Sequence, residues 1–224
     1  HSWTAFRTGC DADSLAPGLG CLRKLTKLRL SFYKCLSLAD VSALGCSLGN
    51  LSELQELALD FYDTRVVDLS ALGAGLGGLK KMTKLHLSFR ECNELLDVSA
   101  LGKGLAQLEK LTECTLNLSS TDVDDVEELG AGLTTLPSLQ KLHLHLARCG
   151  RLEDVSAIGR GLGHLEQLRE CELNFGSLDI TDVSELVVGL GSLHNVVQLK
   201  LSFFNCWVLE HVLSLGETLG GMKT

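Results

Sequence analysis

The sequence predicts an α/β solenoid assembled from one short unit copied along the chain, each copy contributing a strand, a turn and a helix, with the strands parallel. Three observations carry this reading. Leu19, Leu48, Leu76, Leu105, Leu133, Leu162, Leu190 and Leu219 recur at intervals of 29, 28, 29, 28, 29, 28 and 29 residues, so the unit of construction is a pair of repeats 57 residues long whose copies stack to bury a continuous core. Leu28, Leu30 and Phe32 alternate as a strand does when one face is buried. Val41, Leu44, Leu48 and Leu51 are spaced by three, four and three, which lines one face of a helix.

The strand step recurs as Leu57-Leu59-Phe61, Leu85-Leu87-Phe89, Cys114-Leu116-Leu118, Leu142-Leu144-Leu146, Cys171-Leu173-Phe175 and Leu199-Leu201-Phe203, giving seven strands. Counting back one unit from Phe32 places a further strand near Trp3 and Thr4. Asp11, Asp40, Asp68, Asp97, Asp125, Asp154 and Asp182 stand just before the helical runs. There a carboxylate accepts from free backbone N–H groups and complements the helix dipole. The eighth unit has His211 in that place, so its helix is expected to be the least well held.

Two glycine columns run through the helices: Gly45, Gly73, Gly102, Gly130, Gly159 and Gly216, then Gly18, Gly75, Gly104, Gly132, Gly161 and Gly189. Glycine inside a helix costs ~1 kcal/mol relative to alanine, so its recurrence implies close approach of neighbouring helices.

This unit resembles that of the leucine-rich repeat proteins, and its alternation of two lengths is similar to the ribonuclease-inhibitor-like subfamily. The resemblance covers nearly the whole chain. It implies a horseshoe or arc with the parallel sheet on the concave face and helices on the convex face. Residues 1–224 then form a single solenoid of about seven full repeats with incomplete repeats at both ends. No polar capping repeat is visible at either end, so the apolar layers at Leu15 to Leu22 and Leu215 to Met222 are expected to be open and to support end-to-end self-association.

A formal charge of −8 argues against a non-specific nucleic-acid binder. No apolar run reaches the ~18 to 20 residues that cross a bilayer, so no membrane span is expected. The start, His-Ser-Trp-Thr, lacks a Met and the pattern of a signal peptide. Of nine cysteines, Cys35, Cys92, Cys149 and Cys206 recur every 57 residues after the strand, with Thr64, Thr121 and Leu178 in the intervening units. They are expected to be buried thiols, since members two coils apart lie beyond disulfide reach. Cys114 and Cys171 replace a core leucine, while Cys10, Cys21 and Cys46 have no column. Reduced thiols favour an intracellular, cytoplasmic setting; the sequons at Asn50 and Asn117 fall in columns the repeat produces anyway.

Several motifs mimic chemistry. Gly73, Gly75 and Gly78 match a dinucleotide fingerprint, but they follow the helix cap instead of joining strand to helix. Ser47 in Gly45-Cys46-Ser47-Leu48-Gly49 has no strand running into it, as a nucleophile elbow requires. The acidic run Asp122, Asp124, Asp125, Glu127 and Glu128 lacks the turn glycine of a calcium loop. His143 and His145 share one strand face with Glu172 beside them, the nearest approach to a zinc set. No catalytic centre and no cofactor or metal is expected.

The residues between the buried leucines project from the concave face. One column reads Arg29, Ala58, His86, Thr115, His143, Glu172, Lys200; the next Ser31, Asp60, Ser88, Asn117, His145, Asn174, Ser202; a third Tyr33, Tyr62, Arg90, Ser119, Ala147, Gly176, Phe204. A fourth, Lys27, Glu56, Lys84, Glu113, Lys141, Glu170, Gln198, alternates in sign and serves register and solubility. Arg29, Tyr33, Tyr62, His86 and Arg90 are the candidate protein-binding residues, because aromatic and arginine side chains dominate interface hot spots. The functional expectation is a non-enzymatic protein-binding scaffold or assembly subunit. Its alternatives are an inhibitor of the ribonuclease-inhibitor type and the recognition segment of a larger receptor or enzyme.

Overall fold

The computed structural model describes residues 2–6, 12–209, 216, 217 and 220. Among these described residues, eight strands form one parallel sheet in chain order: β1 (Ser2–Phe6), β2 (Lys27–Ser31), β3 (Glu56–Asp60), β4 (Lys84–Ser88), β5 (Glu113–Asn117), β6 (Lys141–His145), β7 (Glu170–Asn174) and β8 (Gln198–Ser202). Between them run α1 (Ala12–Gly20), α2 (Ser42–Leu48), α3 (Ser70–Gly77), α4 (Ser99–Leu105), α5 (Glu127–Leu133), α6 (Ser156–Leu162) and α7 (Ser184–Gly191). The architecture is the leucine-rich-repeat type of solenoid. β1 adds an eighth strand in the place counted back from Phe32, with Trp3 opposite Leu28 and Ala5 opposite Leu30.

Every strand pair keeps one register, so like columns align from coil to coil: Leu28 faces Leu57, which faces Leu85 and then Cys114. The ladder continues one turn past each strand. Phe61 N–H donates to the Ser88 carbonyl and Asp63 N–H to that of Arg90, and the next coils repeat the pair. Reaching this geometry puts one residue per coil at positive φ, from 54° at Asp63 to 63° at Glu91. The inward side chains merge into a single core in which Phe32, Phe61 and Phe89 stack with centroids 5.3 and 5.1 Å apart, and Phe175 stacks on Phe203 at 5.6 Å.

The helices are seven to nine residues long, shorter than the spacing of the apolar residues implies. After Leu48 the chain tightens into three-residue turns, Leu51 N–H donating to the Leu48 carbonyl and Leu54 N–H to that of Leu51, so Leu51 is buried beyond the helix. The aspartates act one residue outside the helix. Asp40, Asp68, Asp97, Asp125, Asp154 and Asp182 each accept, at 2.7 Å, the N–H of the residue two positions on, while Val41 or its equivalent opens the helix. Asp11 and His211 lie outside the described residues.

The glycine columns work as a pair. A Cβ on Gly75 of α3 would fall onto the Gly45 carbonyl of α2, and one on Gly73 onto the Ala100 carbonyl of α4. Helix backbones touch directly, which is what lets the convex side keep step with the strands. Gly18, in the same column as Gly75, has open space where a Cβ would stand.

The layer at Leu15 to Leu22 is more closed than its sequence suggests. Leu19 is 2% exposed and joins the common core, Leu15 is half-buried, and Leu22 is 41% exposed. At the other end Leu199, Leu201 and Phe203 are half-buried; Leu215 and Met222 lie outside the described residues. Among the described residues no helix is long and apolar enough to cross a membrane.

Candidate binding face

The face of the sheet turned away from the helices is built from the four outward columns, and the structure gives each a different state. In the sign-alternating column, pairs form within each double repeat: Lys27 with Glu56, Lys84 with Glu113, Lys141 with Glu170, each at 2.7 Å. In the Ser31 column the side chains fold back onto the turn. The Ser31 hydroxyl donates to Asp60 Oδ2 at 3.1 Å, Asp60 Oδ1 accepts the Tyr62 N–H, and Asn117 and Asn174 accept the N–H groups of Ser119 and Gly176. These contacts tie side-chain oxygens to the turn and shape the strand ends. Sequence reading counted them only as exposed polar groups; the Asx-type spacing, acceptor at i and donor at i+2, is the signal it missed.

The five expected binding residues fall into two groups. Tyr33, Tyr62 and Arg90 come together on three adjacent coils: the tyrosine rings stack with centroids 4.8 Å apart, and the Arg90 guanidinium lies over the Tyr62 ring at 5.6 Å. The Lys34 ammonium also lies over the Tyr33 ring, at 5.6 Å. Tyr33 is 54% exposed, so this column of rings and cations is held in order while its outer surface is free to bury area. Beyond Arg90 the column drops to Ser119 and the buried Ala147, then to Gly176, over which the ring of Phe204 lies.

Arg29 and His86 form the second group. They line a shallow groove of ≈ 380 Å³ with the small side chain of Ala58 between them. The His86 ring is reachable by solvent, yet protein atoms crowd it on the concave side. That desolvation holds its pKa below the usual histidine value, and the Asp60 carboxylate opposes the shift. Neither Arg29 nor His86 makes a hydrogen bond or ion pair among the described residues.

Further along the face, His143 Nε2 lies 2.8 Å from Glu170 Oε1, while Glu172 is held by Lys200 at 3.0 Å with His145 at 3.8 Å. His143 thus has Glu170 as its partner, in place of the Glu172 beside it in the columns of the sequence. Among the described residues no group of three or more His, Cys, Asp or Glu is arranged to hold a metal ion. In the acidic run, Asp122 pairs with Arg151 at 3.5 Å, Glu127 with Arg160 at 2.6 Å and Glu128 with Lys103 at 3.9 Å, all from other coils. Gly73 and Gly75 are occupied by helix packing, as described above.

The recurring cysteines form a polar seam inside the core. Cys92 Sγ donates to the Phe61 carbonyl at 3.1 Å and meets Thr64 Oγ1 at 3.3 Å; Cys149 repeats this with the Leu118 carbonyl and Thr121 at 3.1 and 3.4 Å. Cys35 is buried too, and Cys206, half-buried, donates to the Phe175 carbonyl at 3.2 Å. Cys114 and Cys171 sit in the apolar core, where burial pushes both thiols up to about 12. Cys21 and Cys46 are exposed, and Cys10 lies outside the described residues.

Comparison with protein-family models finds no match, and comparison with curated proteins finds none either. Among solved structures, internalin C2 from Listeria monocytogenes is similar over 91% of this chain and 80% of its own, at 21% identity and a TM-score of 0.52. Internalin F from the same organism aligns over 92% and 81% at 19% identity, with a TM-score of 0.34. The functional domain of Listeria monocytogenes internalin J, which includes a cysteine ladder, aligns over 95% of this chain and 46% of its own at 16% identity, with a TM-score of 0.38. The likeness to internalin C2 shows a shared fold.

Proposed function

We propose that the chain is a non-enzymatic protein-binding scaffold whose partner contacts the concave sheet face, centred on Tyr33, Tyr62 and Arg90 with Arg29 and His86 beside them. The observation that carries this reading is the pre-ordered stack of two tyrosines and an arginine across three coils. Its rotamers are restrained before binding, so a partner buries large side chains at reduced entropic cost. The surrounding coils supply a rigid frame, since core, seam and helix contacts are all repeated through the stack.

An inhibitor of the ribonuclease-inhibitor type calls for a coherently acidic concave face, and the columns here mix both signs. The buried thiols of Cys92, Cys149, Cys114 and Cys171 suit a reducing, intracellular compartment. Association through the chain ends is the competing mode of contact. Replacing Tyr33, Tyr62 and Arg90 together with alanine separates the two: affinity for a captured partner is expected to fall by at least ~2 kcal/mol with little change in melting temperature. Undiminished affinity would move the binding surface off this face.

A further inference from the structure

The internal repeat of the molecule indicates which chemistry one part of the concave face lacks. Positions 29, 86, 143 and 200 stand 57 residues apart and hold Arg, His, His and Lys, all basic; positions 58, 115 and 172 between them hold Ala, Thr and Glu. On the C-terminal coils this column supplies its own carboxylate: Glu172 on β7 stands in register between His143 on β6 and Lys200 on β8 and is held by the Lys200 ammonium at 3.0 Å, while His143 takes Glu170 at 2.8 Å. On the N-terminal coils the same place, between Arg29 on β2 and His86 on β4, is taken by Ala58 on β3. The two basic side chains there make no hydrogen bond or ion pair among the described residues.

We propose that the notch over Ala58, between Arg29 and His86, receives an ionised carboxylate side chain of the protein partner, in the position that Glu172 fills from within the chain on β7. The assignment rests on the reading of the concave face as a protein-binding surface. Its dimensions suit the ligand: β2 and β4 lie two strand spacings apart, ~9.6 Å, room for a carboxylate with a charge-assisted hydrogen bond of ~2.8 Å on either side. The charge pattern selects one carboxylate over a run of phosphates. Glu56, Asp60 and Glu113 flank the notch, and Lys27 and Lys84 are already engaged by Glu56 and Glu113. A polyanion would therefore meet repulsion at each step away from Ala58.

The arriving carboxylate favours the imidazolium form, so binding takes up a proton at His86. The charged and titratable groups around that ring are Arg29 on β2, Glu56 and Asp60 on β3, Lys84 on its own strand, Glu113 on β5 and His143 and His145 on β6. Affinity for the carboxylate is expected to rise as pH falls through the His86 transition and to fall again only when the ligand itself protonates, near pH ~4.3.

The test uses the full chain, the blocked peptide acetyl-Gly-Glu-Gly-amide and its Gln analogue, with the His86 ring followed by NMR across pH. The Glu peptide is expected to raise the His86 titration midpoint and the Gln peptide to leave it in place. Arg29→Gln should weaken the Glu peptide's effect at least tenfold. Ala58→Glu, which copies Glu172, should raise the midpoint with no peptide present and abolish the response to added peptide. Equal responses to the two peptides, or an undiminished response in the Ala58→Glu variant, would overturn the proposal. So would stronger binding of octathymidylate, which would assign the notch to phosphate. A silent peptide titration beside a partner complex weakened by the Tyr33, Tyr62 and Arg90 substitutions removes this assignment alone; a complex indifferent to those substitutions removes the protein-binding reading itself.

Discussion

Cys114 and Cys171 show how far one side chain's environment departs from its chemistry in water. Each occupies a place that is leucine in most coils, and burial pushes both thiols up to about 12. An unfolded cysteine ionises near ~8.5, so the folded state binds more protons than the unfolded state above that pH. The stability these thiols contribute is complete below the unfolded pKa and lost as pH rises toward the folded one. Urea midpoints should thus be nearly level from pH 7 to 8 and decline above pH 9, by roughly 2 kcal/mol per thiol at pH 10. Leucine at both positions should flatten that slope; an identical decline in the double variant would reject the account. A second prediction concerns the left-handed residues. Ser120 sits at φ 59° with its N–H on the Ala147 carbonyl. Ser120→Gly removes a steric cost of ~1–2 kcal/mol against an unfolded-state entropy cost of ~0.5–1 kcal/mol, so a gain of roughly 0.5–1 kcal/mol is expected in chemical denaturation.

At the scale of the element, the helices are held by backbone contact more than by their own length. Seven residues make less than two full turns, too few for an isolated helix. What holds them is the Asp carboxylate at the entry, the leucines facing the core and the glycines facing the neighbouring helices. The two members of one glycine column provide a controlled comparison. Gly75→Ala drives a methyl group onto the Gly45 carbonyl and should cost about 2 kcal/mol or more, because neither helix can move without dragging its coil. Gly18→Ala, with open space at the same site, should be neutral or stabilise by ~0.5–1 kcal/mol. Equal effects in thermal unfolding would mean that helix separation is softer than this packing implies.

For the molecule as a whole, one core and one sheet run through all described coils, and each coil rests only on its neighbours. Stability in such a stack is a sum of coil terms and interface terms, greatest where both sides are covered. Leu87 and Leu116 are buried on inner coils, while Leu199 and Leu201 on β8 are half-buried. Amide exchange should accordingly be slowest along β4 to β6 and markedly faster along β8. Uniform protection from β2 to β8 would show instead that the coils unfold as one unit.

The period alone determined the repeat, the parallel strands, the columns and the burial of Cys35, Cys92 and Cys149, though not the half-buried state of Cys206 on the last coil, because a 28- or 29-residue unit has room for one strand and one short helix and its leucines can face only one core. The glycine columns were legible for the same reason: a residue that costs helix stability in coil after coil answers a steric demand. Tertiary structure decided what the columns do. The outward residues in sequence could not tell that Asp60 and Asn117 accept from their own turns, that His143 takes Glu170 in place of Glu172, or that Tyr33, Tyr62 and Arg90 stack while Arg29 and His86 stand apart around Ala58. Those choices depend on rotamers and distances across coils 28 or 29 residues apart in the chain, where register brings several partners within reach and only packing selects among them.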